Sequence, residues 1–143
     1  MHQVYVSIGS NIDPNKNITI VKGHLNGLFD CTFSSLYETI SEGFEGNNFI
    51  NCVVGFETDI ELIELRENLK KIEKDMGRTL SQKGMSNRVI DLDLILYGSL
   101  VTEDENFDIP SKDIEHFAFI LEPLAEIAGD LKHPISKRSF SSM

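Results

Sequence analysis

Residues 84–98 read GMSNRVIDLDLILYG, and the alternation inside this stretch sets the expectation for the rest of the chain. From Ile90 to Tyr97 the pattern has the two-residue period of a β-strand. Ile90, Leu92, Leu94 and Leu96 fall on one face, with Asp91, Asp93, Ile95 and Tyr97 on the other. Asp91 and Asp93 then lie about 7 Å apart along the strand. Two acceptor-only carboxylates this close repel, which is costly beside so apolar a strand unless a cation lies between them. Hard oxygen donors suit Mg²⁺, and a carboxylate pair can hold two ions that clamp the oxygens of a phosphoryl group in transfer. An amphipathic strand whose second face meets water is the alternative these two residues leave open.

The stretch just before this strand is basic. Residues 66–88 hold Arg66, Lys70, Lys71, Lys74, Arg78, Lys83 and Arg88 against Glu67, Glu73 and Asp75. The segment is thus +4 in a chain of net charge −10, leaving −14 for the remainder. The overall acidity argues against a general nucleic-acid or anionic-membrane surface. The basic island is a place to hold a phosphate-rich ligand, unless it is a solvated helix face with ordinary i,i+4 pairs.

The 143 residues are 41% hydrophobic and 25% charged, the balance of a globular protein, and predict one domain with a proper core. No apolar run reaches membrane-spanning length, and the first residues lack a charged-then-apolar signal pattern. Cys31 and Cys52 lack metal-ligand spacing and read as thiols of a cytoplasmic protein rather than a disulfide.

Along the chain, residues 4–9 predict a first strand and Gly9-Ser10-Asn11 a turn. Asp13-Pro14 reads as a cap and first position of a helix over 14–29, with Ile18, Val21, Leu25, Leu28 and Phe29 inward. A second strand is expected at 33–39 and a third at 49–58, separated by an exposed loop at 41–48. Leu62, Leu65, Leu69, Ile72 and Met76 mark a second helix that Gly77 ends, followed by a loop over 79–87. After the aspartate strand come a small hairpin around Val101 and 107–109, a helix over 119–128, and a frayed Ser-rich end at 136–143. Strand, helix, strand, strand, helix, strand is the order of a ferredoxin-like α+β domain: a four-stranded antiparallel sheet backed by helices, here with a helical C-terminal addition. In that plan the first and last strands are neighbours, and the aspartate strand is expected in the middle of the sheet.

Several short segments, in this order and at these spacings, resemble the 6-hydroxymethyl-7,8-dihydropterin pyrophosphokinase family of folate biosynthesis over nearly the whole chain. They are IGSN at Ile8–Asn11, YET at Tyr37–Thr39, FIN at Phe49–Asn51, IE and GR at Ile72-Glu73 and Gly77-Arg78, RVIDLDLILYG at Arg88–Gly98, IP at Ile109-Pro110 and FILEPLAEIA at Phe119–Ala128. The resemblance implies Mg²⁺-dependent transfer of the terminal two phosphates of ATP to the hydroxymethyl group of a reduced pterin, releasing AMP. It implies that Asp91 and Asp93 hold two Mg²⁺ ions and that Arg78 and Arg88 contact phosphate, where planar guanidinium geometry is wanted. These four are the catalytic candidates. Lys70 and Glu73 match further positions of the nucleotide site. Thr39, Phe49, Asn51 and Phe119 match the pterin pocket, the two rings sandwiching the heterocycle and the asparagine amide pairing with its edge. The segments 9–13, 41–48 and 79–87 match loops that close over the ligands. ATP and the reduced pterin are then the expected partners of a monomeric protein.

The chain departs from the family pattern on the nucleotide side. Met85 and Asn87 replace a tryptophan and a proline, Ser111 a phosphate-contacting histidine, and Asn106 and Phe117 two arginines. Glu38 stands at a usual arginine, Ile40 at a proline and Lys70 at a glutamine. Each lost charge-assisted bond removes about 1.5–3 kcal/mol, without simple additivity, so weak ATP binding is expected. A diverged member that binds a pterin-like heterocycle without efficient catalysis is the second reading. A palm-type metal-dependent nucleotidyl transferase is a third, which gives Phe49, Asn51 and Phe119 no role.

Overall fold

The computed structural model describes residues 1–40, 48–78, 89–104 and 107–143. In chain order these form β1 (His2–Ser10), α1 (Pro14–Asn26), β2 (Thr32–Phe33), β3 (Tyr37–Thr39), β4 (Phe49–Thr58), α2 (Leu62–Asp75) and β5 (Asp91–Tyr97). There follow β6 (Thr102–Glu103), β7 (Asp108–Ile109), α3 (Asp113–His116), α4 (Ala118–Ala128) and a 3₁₀ turn at Phe140–Ser142. Strands β1 to β5 make one antiparallel sheet in the order β2-β4-β1-β5, with β3 also paired to β4.

β1 runs through the centre and is buried from Val4 to Ser10 because both of its faces are covered. Val4, Val6 and Ile8 point to one layer, where Ile18, Val21 and Leu25 of α1 meet Leu65, Leu69 and Ile72 of α2. Tyr5 points to the other, with Ile114, Ile120 and Leu124 of α3 and α4. These stripes are the i, i+3, i+4 spacing of amphipathic helices.

Several expectations change. The expected second strand is two, because the Ser34 side chain breaks the ladder: its hydroxyl accepts from the Val53 N–H at 2.9 Å, while the Ser34 N–H donates to the Val53 carbonyl at 2.8 Å. Among the described residues the sheet therefore has five strands rather than four. β5 does neighbour β1, as expected, but it is the edge of the sheet and not its middle. Within β5 the register against β1 slips by one residue between Val6/Leu94 and Tyr5/Leu96. This β-bulge makes Leu96 and Tyr97 exchange the faces that strict alternation assigns them. Leu96 packs with α4 and Tyr97 with the α1/α2 layer.

Asp13 adopts a left-handed conformation (φ 40°) and its side chain makes no cap bond. The Asn17 amide instead donates to the Ile12 carbonyl at 2.5 Å. The first helix stops at Asn26, leaving Leu28 exposed while Phe29 stacks on Phe56 at 4.0 Å. Residues 9–10 continue β1, and Ser10 and Asn11 are fully buried rather than part of an open turn. The C-terminal segment is not frayed: Phe140 is 1% exposed in the α3/α4 layer, and its N–H donates to the Leu131 carbonyl at 3.0 Å. Cys31 and Cys52 are both free thiols. Among the described residues no helix is long and apolar enough to cross a membrane.

Candidate active site

The site is built on the sheet face that points toward α4. Antiparallel pairing sets Asp91 opposite Gly9, Gly9 opposite Asn51, and Asn51 opposite Tyr37, in one row across four strands. Side chains on one row share a face, so Asp91 and Asn51 look into the same space, two strand spacings or about 10 Å apart. The residue between them is glycine for a steric reason. A Cβ on Gly9 would come within 3.0 Å of the Asn51 amide oxygen and 3.9 Å of the Phe49 ring.

The amide end of the row is held from β3. The Asn51 amide donates to the Thr39 hydroxyl at 2.8 Å and is itself 6% exposed. Phe49 lies one pair along β4 on the same face, opposite Thr39. Phe119, at the start of α4, is partly buried over this layer and packs against Phe117 with ring centroids 4.9 Å apart. Glu126 of α4 fastens β3 in place: it accepts from the Tyr37 hydroxyl at 2.6 Å and from the Ser35 N–H at 2.9 Å. Bonding to Glu126 pushes the Tyr37 hydroxyl up to about 12 and lowers the glutamate.

The carboxylate end is organised by the edge position of β5. At an edge, alternate backbone N–H groups face outward without a strand partner. The Leu92 N–H, between the two aspartates, donates to the Glu73 carboxylate at 2.7 Å. Glu73 is on α2, in the opposite layer, and is 3% exposed. Gly77 makes the turn that completes this corner: at φ 97° it ends α2 with the Arg78 N–H bonded to the Glu73 carbonyl at 3.1 Å. Arg78 then reaches round the sheet edge, and its guanidinium donates to Glu73 at 2.8 Å and to Asp91 at 2.6 Å. Lys70 approaches Glu73 at 3.6 Å from the solvent side. Asp93 is exposed to solvent on one side, yet the protein crowded around its other side and the charge of Asp91, which also hydrogen-bonds it, raise its carboxyl to about 7, and nearby Lys70 only partly offsets this. The two aspartates are the repelling pair expected from their spacing.

The donor set fits a divalent cation of the Mg²⁺ kind. Asp91 and Asp93 offer hard oxygens whose repulsion a cation would relieve. Among the described residues no third acidic, histidine or cysteine side chain completes a cage. Mg²⁺ commonly keeps that pattern, one or two carboxylates with substrate phosphates and water as its other ligands. Ser7 lies directly opposite Asp93, is 6% exposed, and its hydroxyl has no protein partner among the described residues. A polar atom left so beside the carboxylates suits a hydrated ion.

Beside Asp93 a cleft of about 280 Å³ runs along the β5 edge, between Arg66, Leu69 and Lys70 of α2 and the segment from Phe107 to Asp113. Its floor is apolar and its rim charged. Ser111 closes the far wall, its N–H donating to the Ile95 carbonyl at 2.9 Å.

Of the residues singled out in the sequence, Thr39 and Asn51 are in contact, Phe49 and Phe119 share their face, and Arg78, Glu73 and Asp91 form one ion-paired group with Lys70 at its edge. Arg88, Met85, Asn87 and Asn106 lie outside the described residues, as do the expected loop at 79–87 and all but Asn48 of the one at 41–48. Sequence reasoning missed Ser7, the spacing role of Gly9 and the Glu126 clamp. Ser7 and Gly9 had a signal, two small residues at alternate positions of an otherwise large apolar strand.

The family model for 7,8-dihydro-6-hydroxymethylpterin-pyrophosphokinase (HPPK) matches residues 5–129. The 2-amino-4-hydroxy-6-hydroxymethyldihydropteridine pyrophosphokinase of Haemophilus influenzae is 30% identical over 142 residues, 96% of this chain and 88% of that protein. That of Aquifex aeolicus is 32% identical over 143 residues, again 96% and 88%. The folic acid synthesis protein fol1 of Pneumocystis carinii is 34% identical over 97% of this chain, which spans only 19% of that longer protein. In fold, the chain superposes on a crystal structure of Plasmodium falciparum HPPK-DHPS with a TM-score of 0.73 at 13% identity, covering 99% of this chain and 43% of that one. By the span of the match and the length shared with its bacterial relatives, the chain belongs to the 7,8-dihydro-6-hydroxymethylpterin-pyrophosphokinase family.

Proposed function

We propose that this chain transfers the terminal diphosphate of ATP to the hydroxymethyl group of 6-hydroxymethyl-7,8-dihydropterin, a step of folate biosynthesis, and releases AMP. The observation that carries the reading is the row Asp91–Gly9–Asn51. It sets a carboxylate pair suited to phosphate-bound cations and a buried amide suited to a heterocycle on one face, separated by about 10 Å.

In the reaction the hydroxymethyl oxygen bonds to the β-phosphorus of ATP. The bond from that phosphorus to the oxygen bridging the α-phosphate breaks, AMP leaves with the electron pair, and the hydroxyl proton passes to solvent. Asn51, braced by Thr39, presents its amide to the edge of the pterin, and Phe49 and Phe119 offer ring faces to its plane. Asp91 and Asp93 would hold two Mg²⁺ ions, which supply charge neutralisation on the phosphates. Arg78 exchanges a bond to Asp91 for one to phosphate while Glu73 keeps its guanidinium oriented, and Arg88 is assigned a phosphate contact by the family resemblance. Lys70 lies where it adds positive charge at the cleft rim.

The ferredoxin-like plan is the finer reading of the fold, with β2 and β3 together standing for its second strand. One domain, acting as a cytoplasmic monomer, completes the proposal. The second reading, a pterin-binding relative with little turnover, draws on one observation: Phe117 and Ser111 place no positive charge at the cleft. The deciding experiment is AMP release from MgATP with and without the pterin, beside Asp93→Ala. Pterin-dependent AMP that disappears in the variant supports the enzyme. Pterin binding with no AMP at saturating MgATP supports the second reading.

A further inference from the structure

Arg66 is a half-buried arginine in an acidic chain, yet it makes no ion pair with any described residue. Its guanidinium lies over the Phe107 ring, 5.8 Å from carbon Cζ to the ring centroid, and lines the cleft beside Asp93. The backbone of Phe107 is tied to Asp104: the Phe107 N–H donates to the Asp104 carboxylate at 2.9 Å, and the Phe107 carbonyl accepts from the Asp104 N–H at 2.9 Å.

Position along α2 says which part of a ligand Arg66 would meet. Glu73 stands at the aspartate end of the cleft, and Arg66 is seven residues earlier, on the same face and about 10 Å away. Lys70 lies between them. A triphosphate anchored at Asp91, Asp93 and Arg78 would therefore bring its nucleoside, not its phosphates, to Arg66. There the floor is apolar, with Leu69, Leu94 and Ile109 beneath. A guanidinium drawn over an aromatic ring at one side keeps donors free on the other for a planar base and ribose oxygens.

We propose that Arg66, supported by Phe107, is a nucleotide-binding residue that holds the nucleoside end of the triphosphate donor. The inference rests on the pyrophosphokinase reading. It also gives the chain a grip on ATP that does not depend on the phosphate-side charges missing at Ser111 and Phe117.

The test compares wild type, Arg66→Met, Arg66→Lys and Phe107→Leu, each checked for a native melting transition. Calorimetry uses a non-hydrolysable methylene-bridged ATP analogue, inorganic tripolyphosphate and the pterin as separate probes, all with Mg²⁺. Arg66→Met is expected to weaken the analogue about tenfold and to raise KM for ATP with little change in kcat. Tripolyphosphate and pterin binding should stay as in wild type. Phe107→Leu should lower analogue affinity in the same direction, and Arg66→Lys should not restore it, because the plane rather than the charge is used. Unchanged analogue affinity in Arg66→Met would overturn the inference, as would equal loss of tripolyphosphate binding or full rescue by lysine. A wild-type protein that binds pterin but neither the ATP analogue nor tripolyphosphate would instead overturn the pyrophosphokinase reading, and this inference with it.

Discussion

Replacing Glu73 by alanine should destabilise the protein by about 3–5 kcal/mol, the cost typical of breaking a buried ion pair by removing one partner. The estimate follows from what the carboxylate touches. It is 3% exposed and accepts the outward N–H of Leu92 at 2.7 Å and the Arg78 guanidinium at 2.8 Å. Losing the first bond leaves a buried amide without an acceptor, about 1–3 kcal/mol. Losing the second leaves a largely buried guanidinium tied to Asp91 with half its countercharge, a further ~1.5–3 kcal/mol. Lys70 adds little, since it lies 3.6 Å away with a side chain 49% exposed, and Lys70→Ala should cost less than about 1 kcal/mol. Glu73→Gln should fall between, because one amide oxygen still serves the Leu92 N–H while the charge facing Arg78 is gone. Urea unfolding of the three variants gives the ladder directly, and at roughly 3–4 °C per kcal/mol the alanine variant should melt at least 9 °C early. A Glu73→Ala protein within 1 kcal/mol of wild type, or a Gln variant as damaged as Ala, would refute this account of the β5 edge.

Three other outcomes are expected. In metal-free buffer the Asp93 carboxyl is raised toward about 7 in the folded state, against the ordinary carboxylate range near 4 in the unfolded chain, and solvent at its exposed side makes the resulting slope shallow. Stability should therefore fall as pH rises through that window, and Asp93→Asn should flatten the profile; thermal melts from pH 4 to 8 showing identical slopes would contradict it. Gly9→Ala should displace the Asn51 amide and weaken pterin binding about five- to tenfold, the value of one hydrogen bond, with the melting temperature little changed; calorimetry with the pterin reads this, and unchanged affinity would count against Asn51 as its partner. Phe140→Ala should cost about 3–5 kcal/mol by opening a cavity in the α3/α4 layer. A loss under 1 kcal/mol in denaturant titration would mean the C-terminal segment is loosely held after all.

The sequence alone carried the strands and helices whose periodicity is strong, because side-chain burial there depends only on neighbours along the chain. The α2 stripe from Leu62 to Met76, the stop at Gly77 and the two aspartates sharing a face are of this kind. The segments resembling a known family named the remaining site residues, though without their distances. What the chain could not show locally is whatever depends on partners far away in sequence. That β5 is an edge strand follows from where β4 pairs, and only an edge lets Glu73 and Arg78 reach from the layer on one face to Asp91 on the other. The bulge that swaps Leu96 and Tyr97 arises from the fit of β5 to β1, and strict alternation cannot anticipate it. Ser34 breaks a strand because Val53 is beside it, and Phe140 is ordered because α4 offers it a cavity. Periodicity fixes which way a side chain points; tertiary packing decides what it meets there.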